Sequence, residues 1–415
     1  MISSSWKRNI TFFITGQMIS FVGSLLVQFA IFWYINLETQ SGLILSISIV
    51  ASFLPLLIFS PLAGVWADRL NRKFLIITAD LSIAIVTVIV AVLFTLGEVE
   101  IWMLVVVTFI RGIGQAIHGP SISASIPLMI PQEQLMRIRG IQSGIESAFN
   151  VLAPVLAAIL IATFDIGALF YIDFITAILG ISTLLIFVKI PKHGREEHVR
   201  IKGEGFRDFK EGLVYVKTHR FLIPFFIYLF FVLFLVSPVA FLSPLHVVRD
   251  FQGVETEYIR LTVVEVAFSS GMVIGSGLVA WWGGFKNRIV MAGLAISLMG
   301  LGVFSLGILN NFYGYGVAML FQGIVLPFYN TPTNVIIQEQ VEKQYMGRVM
   351  SIMTMINSIA MPIGILVFGP LADLIPIDWL MIGSGLGMLI FGMLYWINRP
   401  MMKAGVKPPV LKENA

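Results

Sequence analysis

The sequence predicts an all-α polytopic membrane protein with twelve transmembrane helices, arranged as two halves of six. Composition is the first reason. Hydrophobic residues make up 57% of the 415 residues and charged residues only 12%, whereas soluble proteins carry about 25% charged residues. Length is the second reason, because the apolar runs reach the roughly 20 residues that a helix needs to cross a bilayer. Pattern is the third, since the runs are continuously apolar, whereas the strands of a membrane barrel would alternate.

The apolar runs define the spans in chain order. They lie at about 9–36, 42–67, 74–96, 101–122, 139–163, 167–189, 221–248, 259–283, 288–309, 312–333, 347–372 and 376–397. One long polar segment, 191–220, separates the first six spans from the last six. We therefore expect four regions: an N-terminal bundle at 1–190, a cytoplasmic linker at 191–220, a C-terminal bundle at 221–398 and a cytoplasmic tail at 399–415.

The linker has a helical pattern of its own. Its apolar residues recur at near-helical spacing, at Phe206, Phe209, Leu213 and Val216. Charged residues stand between them, so the segment predicts an amphipathic helix on the inner membrane surface. A flexible charged linker is the alternative.

Lys and Arg residues are divided unequally between the two ends of the spans. An even number of spans places both termini on one side, and 24 of the 27 Lys and Arg residues fall on that side. Cytoplasmic loops carry such an excess. We therefore expect a monomeric, multi-pass protein of a bacterial plasma membrane, embedded in the lipid bilayer, with both termini in the cytoplasm. The loops also account for the net charge of +4, so nucleic acid is not an expected partner.

No cofactor or metal site is visible in the sequence. The chain has no cysteine, which excludes disulfides and thiolate metal sites. It also lacks a Gly-rich phosphate loop, a Walker lysine and any metal-ligand spacing. We expect neither a cofactor nor a metal, and no transport driven by ATP hydrolysis in this chain.

The short charged loop between spans 2 and 3 carries the most specific motif. The stretch Gly64-Val65-Trp66-Ala67-Asp68-Arg69-Leu70-Asn71-Arg72-Lys73 resembles motif A of the major facilitator superfamily. The matching positions are Gly64, Asp68, Arg69, Arg72 and Lys73. Asn71 replaces the second glycine of the pattern, and because Asn tolerates a left-handed backbone we expect the turn to be kept.

The resemblance implies that this loop takes part in conformational gating. Span 11 begins on the cytoplasmic side, where its positive dipole end favours a carboxylate by about 0.3–1 kcal/mol. Contact between Asp68 and that helix end would hold the inner gate shut, and Gly64 would let span 2 approach span 11. The alternative is a positive loop that only fixes topology.

Ionisable residues inside the spans are functional candidates, because each costs about 2.5 kcal/mol or more to insert. They are Asp80, Arg111, His118, Glu146, Asp173 and Glu265. Arg111 lies in a stretch that resembles motif B of proton-linked exporters, and we expect Arg111 and Glu146 to take part in proton coupling. The alternatives are an Arg tied to backbone carbonyls and a Glu that only pairs with Arg111 or Arg139. Asp80 is a further coupling candidate, although a structural pairing with a loop base is favoured.

Other positions are expected to line a substrate cavity. Asp173 and Glu265 lie toward the outer ends of their spans and can form an acidic vestibule for a cationic drug. Alternatively, each faces water or caps a neighbouring helix. Gln17 in span 1 and Phe321 and Tyr329 in span 10 are the remaining candidates.

Two prolines are expected to bend the spans at corresponding places in the two halves. Pro154 lies in Ala153-Pro154-Val155-Leu156-Ala157-Ala158, which resembles motif C of drug:proton antiporters with alanine at every glycine. Pro362 holds the matching position in span 11. Each proline removes a backbone hydrogen bond, and an ordinary proline kink is the alternative.

Further stretches resemble the macrolide-efflux branch of the same superfamily, and this resemblance covers nearly the whole chain. They are Gly16–Gln17, Phe109–Gly114, Pro131–Leu135, Phe268–Gly275, Gly347–Val349 and Ala360–Gly364. The resemblance implies a secondary transporter that exports amphiphilic antibiotics by alternating access, driven by proton influx. Siderophore exporters share much of the pattern, so export of a siderophore or another metabolite remains an alternative.

Two alternatives come from other classes of protein. A polytopic membrane enzyme, such as an acyltransferase, would use a buried histidine. His118 and His246 are the candidates, and we expect neither to have a paired carboxylate nearby in the sequence. A non-transporting sensor would bind its ligand without moving it across the membrane.

Overall fold

In the computed structural model, the described residues are 6–164, 166–191, 204–252, 256–342 and 344–406. Within these ranges the chain forms fifteen α-helices, a 3-10 turn at Gln132–Gln134 and a π-helical segment at Pro238–Leu242. The helices are α1 (Trp6–Thr39), α2 (Gly42–Arg69), α3 (Arg72–Leu96), α4 (Ile101–Met129), α5 (Leu135–Thr163), α6 (Ile166–Phe187), α7 (Glu204–Thr218), α8 (Leu222–Ser237), α9 (Ser243–Asp250), α10 (Glu257–Trp282), α11 (Arg288–Leu306), α12 (Phe312–Gln340), α13 (Met346–Leu371), α14 (Ile377–Ile397) and α15 (Arg399–Ala404).

Twelve helical segments of the described chain are long and apolar enough to cross a membrane, which confirms the predicted fold class. They are α1 to α6, the joined α8 and α9, and α10 to α14. Some helices run past the predicted ends of the spans. For example, α4 continues to Met129 and contains Pro120 and Pro127. Proline usually ends a helix in a soluble protein, but membrane helices tolerate it because neighbouring groups satisfy the carbonyl that it leaves without a donor.

The chain divides into two units. The first comprises Met1–Gln40 and Ile44–Glu197, and the second comprises Ser41–Leu43 and His198–Ala415. In the first unit, α1 packs against α6, and α3 packs against both α4 and α6. In the second unit, α11 packs against α14, α10 against α12, and α8 against α13.

Glycines set the closest helix contacts of the second unit. A Cβ atom added to Gly271 would lie 2.1 Å from the carbonyl oxygen of Leu320, and one added to Gly275 would lie 2.1 Å from that of Ile324. The two glycines are one helical turn apart, so both face α12. Without side chains there, the backbones of α10 and α12 approach closely, as is common between membrane helices.

Helix α7 covers part of the polar segment between the two sets of spans. Glu211 forms an ion pair of 3.0 Å with Arg348 of α13. The ring of Tyr215 stacks on that of Tyr345, with the centroids 4.2 Å apart. Helix α7 therefore packs against α13 within the second unit. Residues 192–203 of the polar segment lie outside the described residues.

Residues 41–43 cluster with the second unit, where they contact Asp373. The Asp373 carboxylate accepts hydrogen bonds from the backbone N–H groups of Gly42, at 2.7 Å, and Leu43, at 2.9 Å. It also pairs with Arg249 at 2.7 Å. Partial burial acts to raise the pKa of this carboxyl, but the hydrogen bonds from Leu43, Gly42 and Arg249 outweigh it, so the pKa lies below its usual value. The carboxylate thus caps the first turn of α2.

The seventh crossing is not a regular α-helix. Helix α8 ends at Ser237, the π-helical segment Pro238–Leu242 follows, and α9 continues to Asp250. Pro238 has no N–H to donate, and the hydroxyl of Ser237 donates to the carbonyl of Phe234 instead, at 2.8 Å. Such single π turns are frequent at functional sites.

Candidate functional site

A buried ion pair joins α4 to α6 in the first unit. Arg111 Nη1 lies 2.6 Å from Asp173 Oδ2, and the two side chains are 7% and 0% exposed. Thr87 of α3 accepts a hydrogen bond from Arg111 and donates one to Asp173, at 3.1 Å. The hydroxyl of Ser24 of α1 also donates to Asp173, at 3.2 Å, and its carbonyl accepts from Arg111 at 3.3 Å. Four helices therefore enclose one guanidinium and one carboxylate.

Gly23 allows α1 to approach α6 closely enough to enclose this pair. A Cβ atom added to Gly23 would lie 2.0 Å from Thr176 Oγ1 and 2.9 Å from Asp173 Oδ1. The Asp173 side chain is fully buried. The carboxylate therefore does not face the outer vestibule that the sequence analysis considers, and its surroundings are Arg111, Thr87 and Ser24.

His118 forms a second, half-buried pair on the same face of α4, since it lies seven residues after Arg111. Its Nε2 is 3.1 Å from Asp80 Oδ1 of α3 and 2.8 Å from Gln17 Oε1 of α1. Two atoms of this cluster, Gln17 Nε2 and Asp80 Oδ2, are buried without a hydrogen-bond partner in the described part of the chain. Asp80 is 3% exposed and pairs with His118 rather than with a loop base.

Polar side chains at helical spacing on α1 and α4 line two cavities of the first unit. They are Gln17, Ser24 and Gln28 on α1 and Arg111, Gln115 and His118 on α4. One cavity has a volume of about 100 Å³ and combines Arg111 with the apolar side chains of Phe32 and Phe53. The other has a volume of about 290 Å³ and combines His118 with Glu146 of α5. Gln115 lines both, so the two cavities share a polar wall.

Glu146 lies on the wall of the larger cavity, in a row of polar residues along α5. Gln142 donates a hydrogen bond to Glu146 at 2.8 Å. Arg139 donates to Gln142 at 3.4 Å and to the carbonyl of Ser123 at 2.6 Å. Neither Arg111 nor Arg139 forms an ion pair with Glu146 among the described residues. Glu146 is therefore a half-buried carboxylate that forms no ion pair with a base in the described part of the chain.

The two prolines of interest both lie inside membrane helices. Pro154 is buried within α5, and Pro362 is buried within α13. Because a proline lacks an N–H, each leaves one helical carbonyl without its usual donor.

The charged loop after α2 is built differently from the sequence expectation. Asn71 has a φ of −69° and is the N-cap of α3, where its side chain accepts from the backbone N–H groups of Lys73, at 3.0 Å, and Phe74, at 3.4 Å. The left-handed turn expected at Asn71 is therefore wrong. Asn serves both roles in proteins, and the start of α3 at Arg72 selects the capping one.

Two bases of this loop bind the carbonyls of neighbouring helices. Arg72 donates to the carbonyls of Ala67, at 2.8 Å, and Ala124, at 2.7 Å. Lys73 donates to the carbonyl of Val188, at 2.8 Å, just past the end of α6. A cation is favourable at such a helix C-terminus because of the exposed carbonyls. Arg72 and Lys73 therefore bind α2, α4 and α6 together within the first unit.

Gly64, Asp68 and Arg69 complete the motif. No described atom lies within 4 Å of a Cβ added to Gly64. Asp68 and Arg69 form the last turn of α2, and their side chains lie outside the described residues.

In the second unit, the acidic candidate is Glu265. Glu265 of α10 is half-buried, and no hydrogen bond or ion pair joins it to any residue within the described ranges. The amide of Gln322 of α12 donates to the backbone carbonyl of Met299 of α11 at 2.8 Å. Phe321 beside it is half-buried, and Tyr329 is 2% exposed with its hydroxyl unpaired among the described residues.

Both histidines considered for an enzyme have carboxylate partners, and for His246 one of them is nearby in the sequence, contrary to the expectation. His118 meets Asp80. His246 lies 3.2 Å from Asp250, four residues further along α9, and 2.8 Å from Asp378 of α14. The spacing from His246 to Asp250 was visible in the sequence, whereas the other two pairs join separate helices.

Comparison with known proteins agrees with this architecture. The family model described as Major Facilitator Superfamily matches residues 13–365. Macrolide efflux protein A of Streptococcus pyogenes is 31% identical over 385 residues, which cover 92% of this chain and 94% of that protein. Macrolide efflux protein A of Enterococcus faecalis is 33% identical over 328 residues, 78% of this chain and 99% of that protein.

A solved structure with the same fold is a bacterial homologue of the human lysosomal transporter Spinster, in an inward-facing and unoccupied conformation. It superposes with a TM-score of 0.71 at 14% identity, covering 98% of this chain and 100% of that chain. The family match spans most of the chain, from α1 to α13. The protein is thus a multi-pass membrane protein that moves small molecules rather than an enzyme, and it belongs to the major facilitator superfamily.

Proposed function

We propose that this chain exports amphiphilic drugs of the macrolide type from a bacterial cell, in exchange for protons and by alternating access. The observation that carries the proposal is its similarity, over 92% of the chain, to a protein named for macrolide efflux. In this proposal the protein works as a monomer in the plasma membrane with both termini in the cytoplasm. The excess of Lys and Arg on the side of the termini supports that orientation.

The ion pair between Arg111 and Asp173 is the best-supported element for proton coupling. Arg111 Nη1 lies 2.6 Å from Asp173 Oδ2. A proton on Asp173 would cancel the charge of the carboxylate and so remove the main attraction that holds Arg111. Arg111 would keep only Thr87 and the carbonyl of Ser24. Since Arg111 also lines the smaller cavity, a change of charge at Asp173 reaches the cavity wall directly. One protonation event would thus bias the cavity between two states.

Other carboxylates have supporting roles in this proposal. Glu146 and Asp80, with His118, lie at or next to the larger cavity and provide groups that exchange protons with water there. Glu265 has no described base near it, so it would attract the ammonium group of a cationic drug. Gln17, Phe321 and Tyr329 would complete the contacts with the drug. Amphiphilic walls of this kind suit a ligand with both apolar and polar faces.

The loop from Gly64 to Lys73 acts as the inner gate in this proposal. Arg72 and Lys73 fix the end of α2 against α4 and α6. The last turn of α2, which carries Asp68 and Arg69, is thereby held at a defined place within the first unit. Asp68 would then meet the start of α13 when the inner side is closed, where the helix dipole favours a carboxylate.

The test is drug accumulation in a bacterial host that lacks its own pumps. Expression of the wild-type chain should lower the accumulation of a macrolide antibiotic, and a protonophore should abolish that effect. Asp173→Asn should raise accumulation to the level of the empty vector. Glu98→Gln, which alters an exposed acid in the turn after α3, is the matched control and should export like the wild type.

Two outcomes would count against the proposal. Export that a protonophore leaves unchanged would exclude coupling to protons. The second outcome is that expression leaves macrolide accumulation unchanged but reduces the accumulation of a siderophore tested in the same panel. The protein would then still be a transporter, but with a different substrate class.

A further inference from the structure

Three side chains of the second unit direct their ligand atoms toward one another. His246 and Asp250 lie on α9, and Asp378 lies in the first turn of α14. One nitrogen or oxygen from each residue lies within 4.8 Å of those from the other two. None of the three belongs to the transport machinery proposed above. No metal-ligand spacing is visible in the sequence because Asp378 comes 132 residues after His246.

The two distances from the imidazole match the coordination sphere of a small divalent ion, and the two carboxylates lie within 4.8 Å of each other. His246 Nε2 lies 2.8 Å from Asp378 Oδ1 and 3.2 Å from Asp250 Oδ2. Bonds from zinc to nitrogen or carboxylate oxygen are about 2.0–2.2 Å long, so neighbouring ligands of a tetrahedral zinc ion stand about 3.4 Å apart. In an octahedral ion with bonds of about 2.1 Å the separation is about 3.0 Å. Both measured distances lie close to these values.

A proton alone does not satisfy the cluster. The Nε2 atom carries at most one hydrogen, yet it faces two carboxylates, so they share a single donor. The neighbouring base, Arg249, pairs with Asp373 at 2.7 Å. A divalent cation between the three residues would bind both carboxylates and the imidazole lone pair at once, and would offset the repulsion between the two acids.

The cluster has one buried side and one open side. The His246 side chain is 1% exposed, and its ring packs edge-on against Tyr315 with the centroids 5.3 Å apart. The side chains of Asp250 and Asp378 are 48% and 43% exposed. An ion can therefore enter from solvent and keep water ligands, as in zinc sites with three protein ligands and an open position.

The second nitrogen of the imidazole indicates how strong the site would be. His246 Nδ1 is buried and has no hydrogen-bond partner in the described part of the chain. Without a metal, the described acceptors of the imidazole proton are the two carboxylates at Nε2. A cation bound at Nε2 would leave the proton on Nδ1, which has no acceptor among the described residues. A metal-binding histidine usually donates a hydrogen bond from its other nitrogen, and loss of that bond lowers metal affinity by about 10–100-fold.

We propose that His246, Asp250 and Asp378 bind a divalent transition-metal ion of the zinc class. The ion joins the end of the seventh crossing to the start of the twelfth. Its affinity is lower than that of structural zinc sites, because no described residue accepts a hydrogen bond from Nδ1. The proposal does not depend on what the protein transports.

The test uses the full chain, purified in detergent, with its affinity tag removed and its metals stripped by a chelator. Calorimetric titration with Zn²⁺ measures affinity and stoichiometry, and the visible absorption of added Co²⁺ reports the coordination number. We expect one ion per chain and binding at least about tenfold weaker in Asp378→Asn. His219→Gln is the matched control, since His219 contacts Tyr215 and no described carboxylate, and it should bind like the wild type.

Two results would overturn the proposal. One is Zn²⁺ affinity in Asp378→Asn and Asp250→Asn equal to that of the wild type. The other is an absence of Zn²⁺ binding to the wild type at concentrations well above that of the protein. Both variants replace half-exposed acids with amides of the same shape, so they should fold. Because binding is measured on purified protein, a failure of drug export leaves this result unaffected.

Discussion

Replacing Asp173 with Asn tests how strongly the buried ion pair stabilises the first unit. The substitution keeps the shape of the side chain and leaves the Arg111 side chain, 7% exposed, without a counter-ion. Removing one partner of a buried pair costs about 3–5 kcal/mol. Thr87 and the carbonyl of Ser24 still accept hydrogen bonds from Arg111. We therefore expect the lower end of that range, about 3 kcal/mol, in the free energy of unfolding.

A double-mutant cycle separates the pair from its two members. Arg111→Gln should also destabilise the protein, because it leaves a fully buried carboxylate whose remaining described donors are the Thr87 and Ser24 hydroxyls. The double variant carries neither charge, so it should be more stable than either single variant. Equilibrium unfolding in mixed micelles, followed by tryptophan fluorescence, gives the free energies. We expect a coupling energy in the upper part of the range of about 0.5–3 kcal/mol found for contacting residues.

Additive effects of the two substitutions would show that Arg111 and Asp173 do not stabilise each other. Unfolding of Asp173→Asn at the same midpoint as the wild type would likewise contradict a stabilising ion pair. Glu98→Gln removes an exposed acid and should change stability by no more than about 0.5 kcal/mol, which sets the baseline.

Two further predictions concern close packing and capping. Gly23→Ala places a methyl group 2.0 Å from Thr176 Oγ1, so it should destabilise the protein by about 1–3 kcal/mol in thermal unfolding. Gly144→Ala on α5 is the control, because no described atom lies within 4 Å of the added Cβ, and it should leave the stability unchanged. Equal losses of stability in the two variants would contradict a steric cause. Asp373→Asn removes the charged cap of α2 and should cost about 1–2 kcal/mol. Because the pKa of Asp373 lies below its ordinary value of 3.8, its contribution is complete above that pH and is lost only as the pH falls through the lower folded value. The difference between wild type and Asp373→Asn should therefore stay constant between about pH 5 and 8, and a difference that shrinks within this range would exclude the carboxylate as its source.

The sequence determines the number of crossings much better than it determines which polar groups meet. Hydropathy identifies each span because the bilayer requires a long apolar helix regardless of its neighbours. The need of Arg111 for an acceptor was foreseeable for the same reason. Its partner was not, since Asp173 lies 62 residues away and the pairing depends on how α4 and α6 pack.

His118 and Asn71 show two further limits of sequence reasoning. A lone histidine in a Gly-Pro context resembles a local hydrogen-bonding residue, and only the packing of α3 against α4 brings Asp80 to it. Asn71 fits both a left-handed turn and a helix N-cap, so residue type alone does not choose between them. The exact start of the next helix decides, and element boundaries are what a single sequence specifies least well.

The π turn at Pro238–Leu242 fixes the direction in which α9 points. It holds one residue more than an α turn, so everything beyond it is rotated by about 100° relative to an uninterrupted helix. His246 lies beyond that point and faces Asp378 only in this rotated phase. A chain one residue shorter there would keep nearly the same length of crossing, yet it would turn the imidazole toward a different side of the bundle.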